Sequence, residues 1–349
     1  MNSMKALMLA AATAGALGMI AQAVAQNAPA GGAPAAGAPA AGGAPAAGRG
    51  RGGRGPAAPP PQAWVPKLTR LTRYEAPNKP IWRLSEIKAA HSATGSWTQP
   101  IVRNKEMWAD YVQIAAGEKT PRAMYPDNRI GIIVWEGQIR VTVDGQEPFV
   151  ATKGFQINIP YRTAYTMEAT GGTPGLYFIV REAEHYPQYP VDTTPDKPRD
   201  IPGYTYTKSI YTAGRGPISE GAYGEKIYLD YYKDVVNAPQ GRGGAFIRAD
   251  HFFMNNIRGQ GVPTPPATNL GHYHAEYTEF WFIIEGRMEY LIEGIPEVIQ
   301  AEAGDVVTAA QGRFHRASFR AGPGMNTRVA INPFPAGQHN YTPESGGTQ

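Results

Sequence analysis

Near its C-terminal end the chain reads Gly271-His272-Tyr273-His274-Ala275-Glu276-Tyr277-Thr278-Glu279-Phe280-Trp281-Phe282-Ile283-Ile284-Glu285-Gly286. His315 follows inside Gly304-x5-Ala310-x-Gly312-x2-His315, 36 residues after Glu279. His272 and His274 are two apart, so on a strand both point to one face. Neutral imidazole is the commonest protein metal ligand, and this pair offers two corners of a site. Glu279 lies an odd interval beyond His274, so the pleat has to break between them by a bulge or short turn. The apolar run after Glu279 reads as a buried strand, where a carboxylate is costly unless paired or coordinated. His315 must arrive from another strand. Three nitrogens and one oxygen leave one or two positions open on a five- or six-coordinate ion, unlike a closed structural zinc site.

The compound pattern H-x-H-x4-E-x6-G followed by G-x5-A-x-G-x2-H resembles the two sequence motifs of the cupin family. Ala310 stands where that family usually has Pro, and Phe319 where it often has Asn. The resemblance implies an all-β fold of jelly-roll barrels and a metal held by His272, His274, Glu279 and His315.

A second copy of the pattern lies upstream. Ile130 to Gly137 reads I-G-I-I-V-W-E-G, as Glu279 to Gly286 reads E-F-W-F-I-I-E-G. Each apolar strand ends in a Glu-Gly turn, and the next motif opens at Gly154 and Gly304, 17 and 18 residues on. This predicts two cupin domains in tandem, few helices, and division into 63–192 and 193–349. In the first copy the ligand positions hold Ala123, Tyr125, Ile130 and Tyr165, none of them a metal ligand of this type. One divalent ion per chain is therefore expected, in the second barrel. The first is read as a structural partner, with a homodimer surface or an apolar pocket around Tyr125 and Tyr165 as further readings. Ser85 is a candidate N-cap for one short helix.

The first 25 residues resemble a secretory signal: Lys5, an apolar run from Ala6 to Ile20, then Ala23-Val24-Ala25 as a cleavage site. Export to the periplasm or beyond is expected. Residues 26–62 are nearly all Ala, Gly and Pro, a composition that cannot bury a core. As a flexible tether they would reach roughly 30–35 Å. No later stretch is apolar enough to span a bilayer. The chain has no cysteine, so no disulfide is available to it. The four basic residues of positions 1–62 account for the whole net charge of +4, leaving the remainder with 29 basic and 29 acidic residues. That balance gives no nucleic-acid footprint.

Tyr273, Tyr277, Trp281 and Phe314 are candidates to line a substrate pocket, and Glu276 and Arg313 are candidate catalytic groups. His91, His185, His251 and His339 lack ligand-like spacing and are read as satisfied surface or core histidines. Resemblance to metal-binding cupins implies an oxidoreductase of the dioxygenase or oxidase type, acting on a small organic, aromatic or carboxylate substrate. The alternatives are a non-redox lyase or isomerase, and a module that binds a sugar or aromatic ligand without turnover. Iron, manganese, copper, nickel and zinc all accept this ligand set.

Overall fold

The computed structural model describes residues 63–192, 201–209, 226–238, 244–249, 251–261, 266, 268–333 and 339–341. The expected export signal and the tether lie outside them. The first half runs β1 (Ile81–Trp82), α1 (Leu84–Ala90), β2 (Trp97–Arg103), β3 (Met107–Ile114), β4 (Ile130–Glu136), β5 (Gln138–Val143), β6 (Phe149–Ala151), β7 (Phe155–Ile159), β8 (Tyr165–Thr170) and β9 (Gly175–Glu182). β10 (Tyr228–Asp230) and one turn of π-helix (Tyr231–Val236) follow. The second half is β11 (Gly244–Arg248), β12 (Phe252–Gln260), β13 (Glu279–Glu285), β14 (Arg287–Ile292), β15 (Ile299–Glu302), β16 (Val306–Ala309), β17 (His315–Phe319) and β18 (Met325–Pro333).

Each half closes a barrel from a six-stranded and a three-stranded sheet. The large sheets have orders β10-β7-β4-β9-β3-β2 and β1-β16-β13-β18-β12-β11, and the small ones β6-β5-β8 and β15-β14-β17. Two strands cross the division at residue 192: β1 pairs with β16 of the second barrel, and β10 with β7 of the first.

The large sheets are buried on both faces, so their strands read as continuous apolar runs rather than alternating ones. On β4, Ile130, Ile132 and Val134 fill the first barrel, while Ile133 and Trp135 enter a core shared with the second. On β13, Trp281 and Ile283 fill the second barrel, while Phe280, Phe282 and Ile284 enter the shared core. There Phe282 packs against Phe178 and Trp135, both with centroids 5.3 Å away, and against Tyr111 at 6.1 Å. The first barrel is thus half of a common core.

The Glu-Gly turns demand glycine. Gly137 and Gly286 have φ of 76° and 72°. A Cβ there would come 2.3 Å from Pro174 O and 2.3 Å from Asn326 Oδ1 respectively.

The short helix starts at Leu84 rather than behind Ser85, and Arg83 at its N-cap makes no side-chain cap. Asp305 supplies it from the other half of the chain: its Oδ1 accepts from Leu84 N at 3.0 Å, and its Oδ2 lies 3.4 Å from Arg83 Nη1. An N-cap 221 residues away in sequence is invisible to local reading. Asp305→Ala is expected to cost about 1–2 kcal/mol, read by thermal or urea unfolding, because it orphans the helix N-terminus.

Candidate metal centre

His272 and His274 stand on a short extended stretch, not a full strand. A single antiparallel bridge joins His272 to His315, and another joins Tyr273 to Asn340. The chain bends at Ala275 and Glu276 before β13 begins at Glu279. That bend is the break in the pleat that the odd interval requires, and it turns Glu279 to the face of the two histidines. His315 is the first residue of β17.

The four donor atoms lie within 4.8 Å of one another. Glu279 Oε2 is 2.9 Å from His274 Nε2, 3.0 Å from His315 Nε2 and 3.8 Å from His272 Nε2. His272 and His315 bring their Nε2 atoms to 3.1 Å. An ion about 2.1 Å from each donor sets neighbouring donors about 3 Å apart at right angles, so three of these separations fit adjacent positions and the fourth a wider angle.

The tautomer of His315 follows from its surroundings. Its Nδ1 is 3.0 Å from Arg313 O, which can only accept, so the proton sits on Nδ1. Burial pushes the His315 imidazole below its usual value, against the raising effect of Glu279. A neutral ring then turns the Nε2 lone pair toward the carboxylate oxygen and toward His272. Burial, with His315 next, pushes His272 down to about 3, so it too is neutral around pH 7. Burial alone would raise the Glu279 carboxyl, but the three imidazoles around it, His272 first, hold it well below the usual range. The His315 lone pair meeting a carboxylate at 3.0 Å is an arrangement that a cation satisfies. The donor set fits a divalent ion, and only His272, with 16% of its side chain exposed, is appreciably open.

The remaining candidates divide. Tyr277 stacks on His274, with centroids 4.3 Å apart, and Trp281 meets His315 edge-on at 5.2 Å. Tyr273 and Phe314 instead pair with each other at 4.9 Å, with Lys67 Nζ over both rings. Tyr273 sits between the two histidines and so faces away from them. Glu276 is exposed. Arg313 donates to Thr72 O and Glu293 O, tying the residues before β1 to the barrel. The turn at Gln311 and Gly312 lies between β16 and β17, so strand alternation does not carry Arg313 to the face of His315.

His339 belongs beside the centre, contrary to its reading as an ordinary surface or core histidine. Its ring lies 4.3 Å from His272 and 5.1 Å from His274, and Tyr341 is 5.4 Å from His272. The Tyr273–Asn340 bridge fixes this placement, since His339 and Tyr341 flank Asn340 and share a face. A histidine delivered by a segment 24 residues after His315 carries no local motif. His91 stacks on Trp97 at 4.5 Å, and His185 and His251 approach Glu182 at 3.3 and 3.6 Å, away from the centre.

The first barrel repeats the geometry without the chemistry. Ala123 bridges Tyr165 as His272 bridges His315, and Met124 bridges Gln188 as Tyr273 bridges Asn340. Tyr125 and Tyr165 are buried in its core.

No protein-family model matches the sequence, and no curated protein matches it. Solved structures do. A salicylate 1,2-dioxygenase from Pseudaminobacter salicylatoxidans matches over 72% of this chain and 82% of its own, at TM-score 0.50 and 12% identity. A cupin 2 conserved barrel domain protein from Leptotrichia buccalis covers 70% and 91%, at TM-score 0.47 and 10% identity. Oxalate decarboxylase from Bacillus subtilis covers 71% and 75%, at TM-score 0.43 and 12% identity. The chain has the bicupin fold: two cupin barrels in tandem, with a His-His-Glu-His group in the second.

Proposed function

We propose that the protein is an exported oxidoreductase that holds one divalent metal ion in its second barrel and acts on a small organic acid or aromatic substrate. The observation that carries the proposal is the convergence of His272, His274, Glu279 and His315 within 4.8 Å. When bound there, a redox-active ion supplies open coordination positions at which an electron-rich substrate and dioxygen can be activated together. The chain's own groups prepare that chemistry. Arg313 O fixes the His315 tautomer and aims its Nε2. Tyr277 and Trp281 hold the His274 and His315 rings in place and keep water out. His339, against His272 at the more open side, is placed to pass a proton in or out. Sharing its fold with a salicylate 1,2-dioxygenase makes oxygen-dependent conversion of an aromatic acid the first activity to assay. Export rests on residues 1–25, and fractionation of cells expressing the full chain tests it.

Elemental analysis of protein isolated from its native compartment tests the centre. Wild type should carry one equivalent of iron, manganese or copper, and His315→Ala less than about a tenth of that, since the three-donor remnant lacks one buried ligand. Two equivalents per chain would place a metal in the first barrel and defeat this assignment. Turnover of phenolic and aliphatic acids in air but not under nitrogen is the expected catalytic signature, and equal turnover in both would turn the reading to a lyase or isomerase.

A further inference from the structure

We infer that the floor of the second barrel, beneath the four donors, is a carboxylate subsite formed by Arg328 and Tyr290. The inference rests on the metal reading above and narrows its substrate to a small organic acid.

On β18, Val329 and Ile331 enter the shared core, so Arg328 and Ala330 face the barrel lumen. Register sets Ala330 beside Trp281 and Arg328 beside Ile283, one layer further from Glu279. Tyr290 projects into the same lumen from β14. Its ring lies 4.9 Å from Trp281, which itself lies 5.2 Å from His315. The indole thus spans from the metal ligands to the floor.

Both floor residues are unsatisfied. Arg328 is 5% exposed and Tyr290 fully buried, yet Nε and Nη1 of the guanidinium and the phenol oxygen have no hydrogen-bond partner. The guanidinium packs on Phe319, 5.3 Å from the ring centroid, which leaves its in-plane donors to find an acceptor. Arginine stays protonated in proteins, and a buried donor left unpaired is costly. Donors left unpaired in this way offer an acceptor a place to bind.

Charge identifies that acceptor. The carboxylate that Arg328 feels is Glu279, which is a member of the donor set. Asp305, the other buried carboxylate among the described residues of the second half, is taken up by Arg83 and the start of α1. A divalent ion, one carboxylate and one guanidinium leave two positive charges in the lumen. An anionic ligand offsets that charge in part or in full, and a neutral sugar does not.

The first barrel is an internal control. There Val134 pairs with Tyr177 where Ile283 pairs with Arg328. Four residues after Gly137 stands Val141, where Tyr290 stands four after Gly286. At these two positions the barrel that lacks the four ligands carries Tyr177 and Val141, so the arginine and the Tyr290 phenol are not part of the common scaffold.

The test uses the full chain loaded with cobalt(II), with metal content measured on every sample. Oxalate, benzoate and salicylate are titrated against chloride and glucose, reading thermal stability and the visible cobalt bands. At least one carboxylate should bind saturably, chloride should act only through ionic strength, and glucose should not act. Arg328→Met should keep its metal, bind that carboxylate about ten- to a hundredfold more weakly, and melt at or above wild type when no acid is present. Arg328→Lys should recover part of the affinity, and Tyr290→Phe should lose roughly three- to tenfold. Unchanged carboxylate affinity in metal-loaded Arg328→Met overturns the inference. So does a fall in its melting temperature without ligand, which would make the arginine structural, and so does a chloride effect equal to that of every acid. Wild type that takes up no metal at all would instead defeat the metal reading, a result the metal assay separates from the others.

Discussion

Glu279→Gln is expected to abolish stoichiometric metal binding while leaving the barrels folded. The substitution keeps the side-chain volume and removes the one anionic donor, whose Oε2 lies within 3.8 Å of all three histidine nitrogens. Losing a hydrogen-bond partner of a ligand typically weakens metal affinity ten- to a hundredfold, so losing a ligand itself should weaken it by about two orders of magnitude or more. A metal present at a thousand times its dissociation constant stabilises a folded protein by about 4 kcal/mol. The wild-type melting temperature should therefore rise on adding metal, and that of Glu279→Gln should stay flat. The amide also needs no charge compensation in a site where the carboxylate is 4% exposed, so the metal-free variant should remain folded. A Glu279→Gln protein that still carries one equivalent of metal would sink the four-donor site.

Phe282→Ala is expected to give the largest loss of stability of any single truncation discussed, about 3–5 kcal/mol. Phe282 is completely buried and its ring touches Tyr111, Trp135 and Phe178, all from the first half of the chain. The cavity would open in the core that both barrels share. Calorimetry should show one transition moved down by on the order of 10 °C, with metal content at the lower temperature unchanged. Two separate transitions, only one of them shifted, would show that the barrels unfold independently and that the shared core does not couple them.

The centre was legible because its ligands lie close in sequence or inside a spaced motif. His272, His274 and Glu279 occupy eight residues, and His315 follows a glycine-marked hairpin. The repeat was legible for a similar reason: Gly137 and Gly286 have backbone angles and neighbours that exclude a side chain, so both copies keep the same Glu-Gly signature. Arg313 was misplaced by extending strand alternation through a turn, and Tyr273 by its nearness to the ligands in sequence, although alternation between His272 and His274 turns it away. Arg328 sat unnoticed in Met325–Pro333, where an apolar run with one arginine carries no motif and only its unpaired donors mark it.

Local backbone rules determined much by themselves: where strands start and turn, which barrel has metal-type ligands, and that the pleat breaks before Glu279. These follow from side-chain alternation and from glycine's access to positive φ, which act over a few residues. The tertiary structure alone decided which faces meet. It gave α1 its cap from Asp305, brought His339 onto His272 across a chain separation of 67 residues, and merged two barrels into one core. Contacts of that kind are chosen by which surfaces pack best in three dimensions, and no periodicity along the chain encodes them.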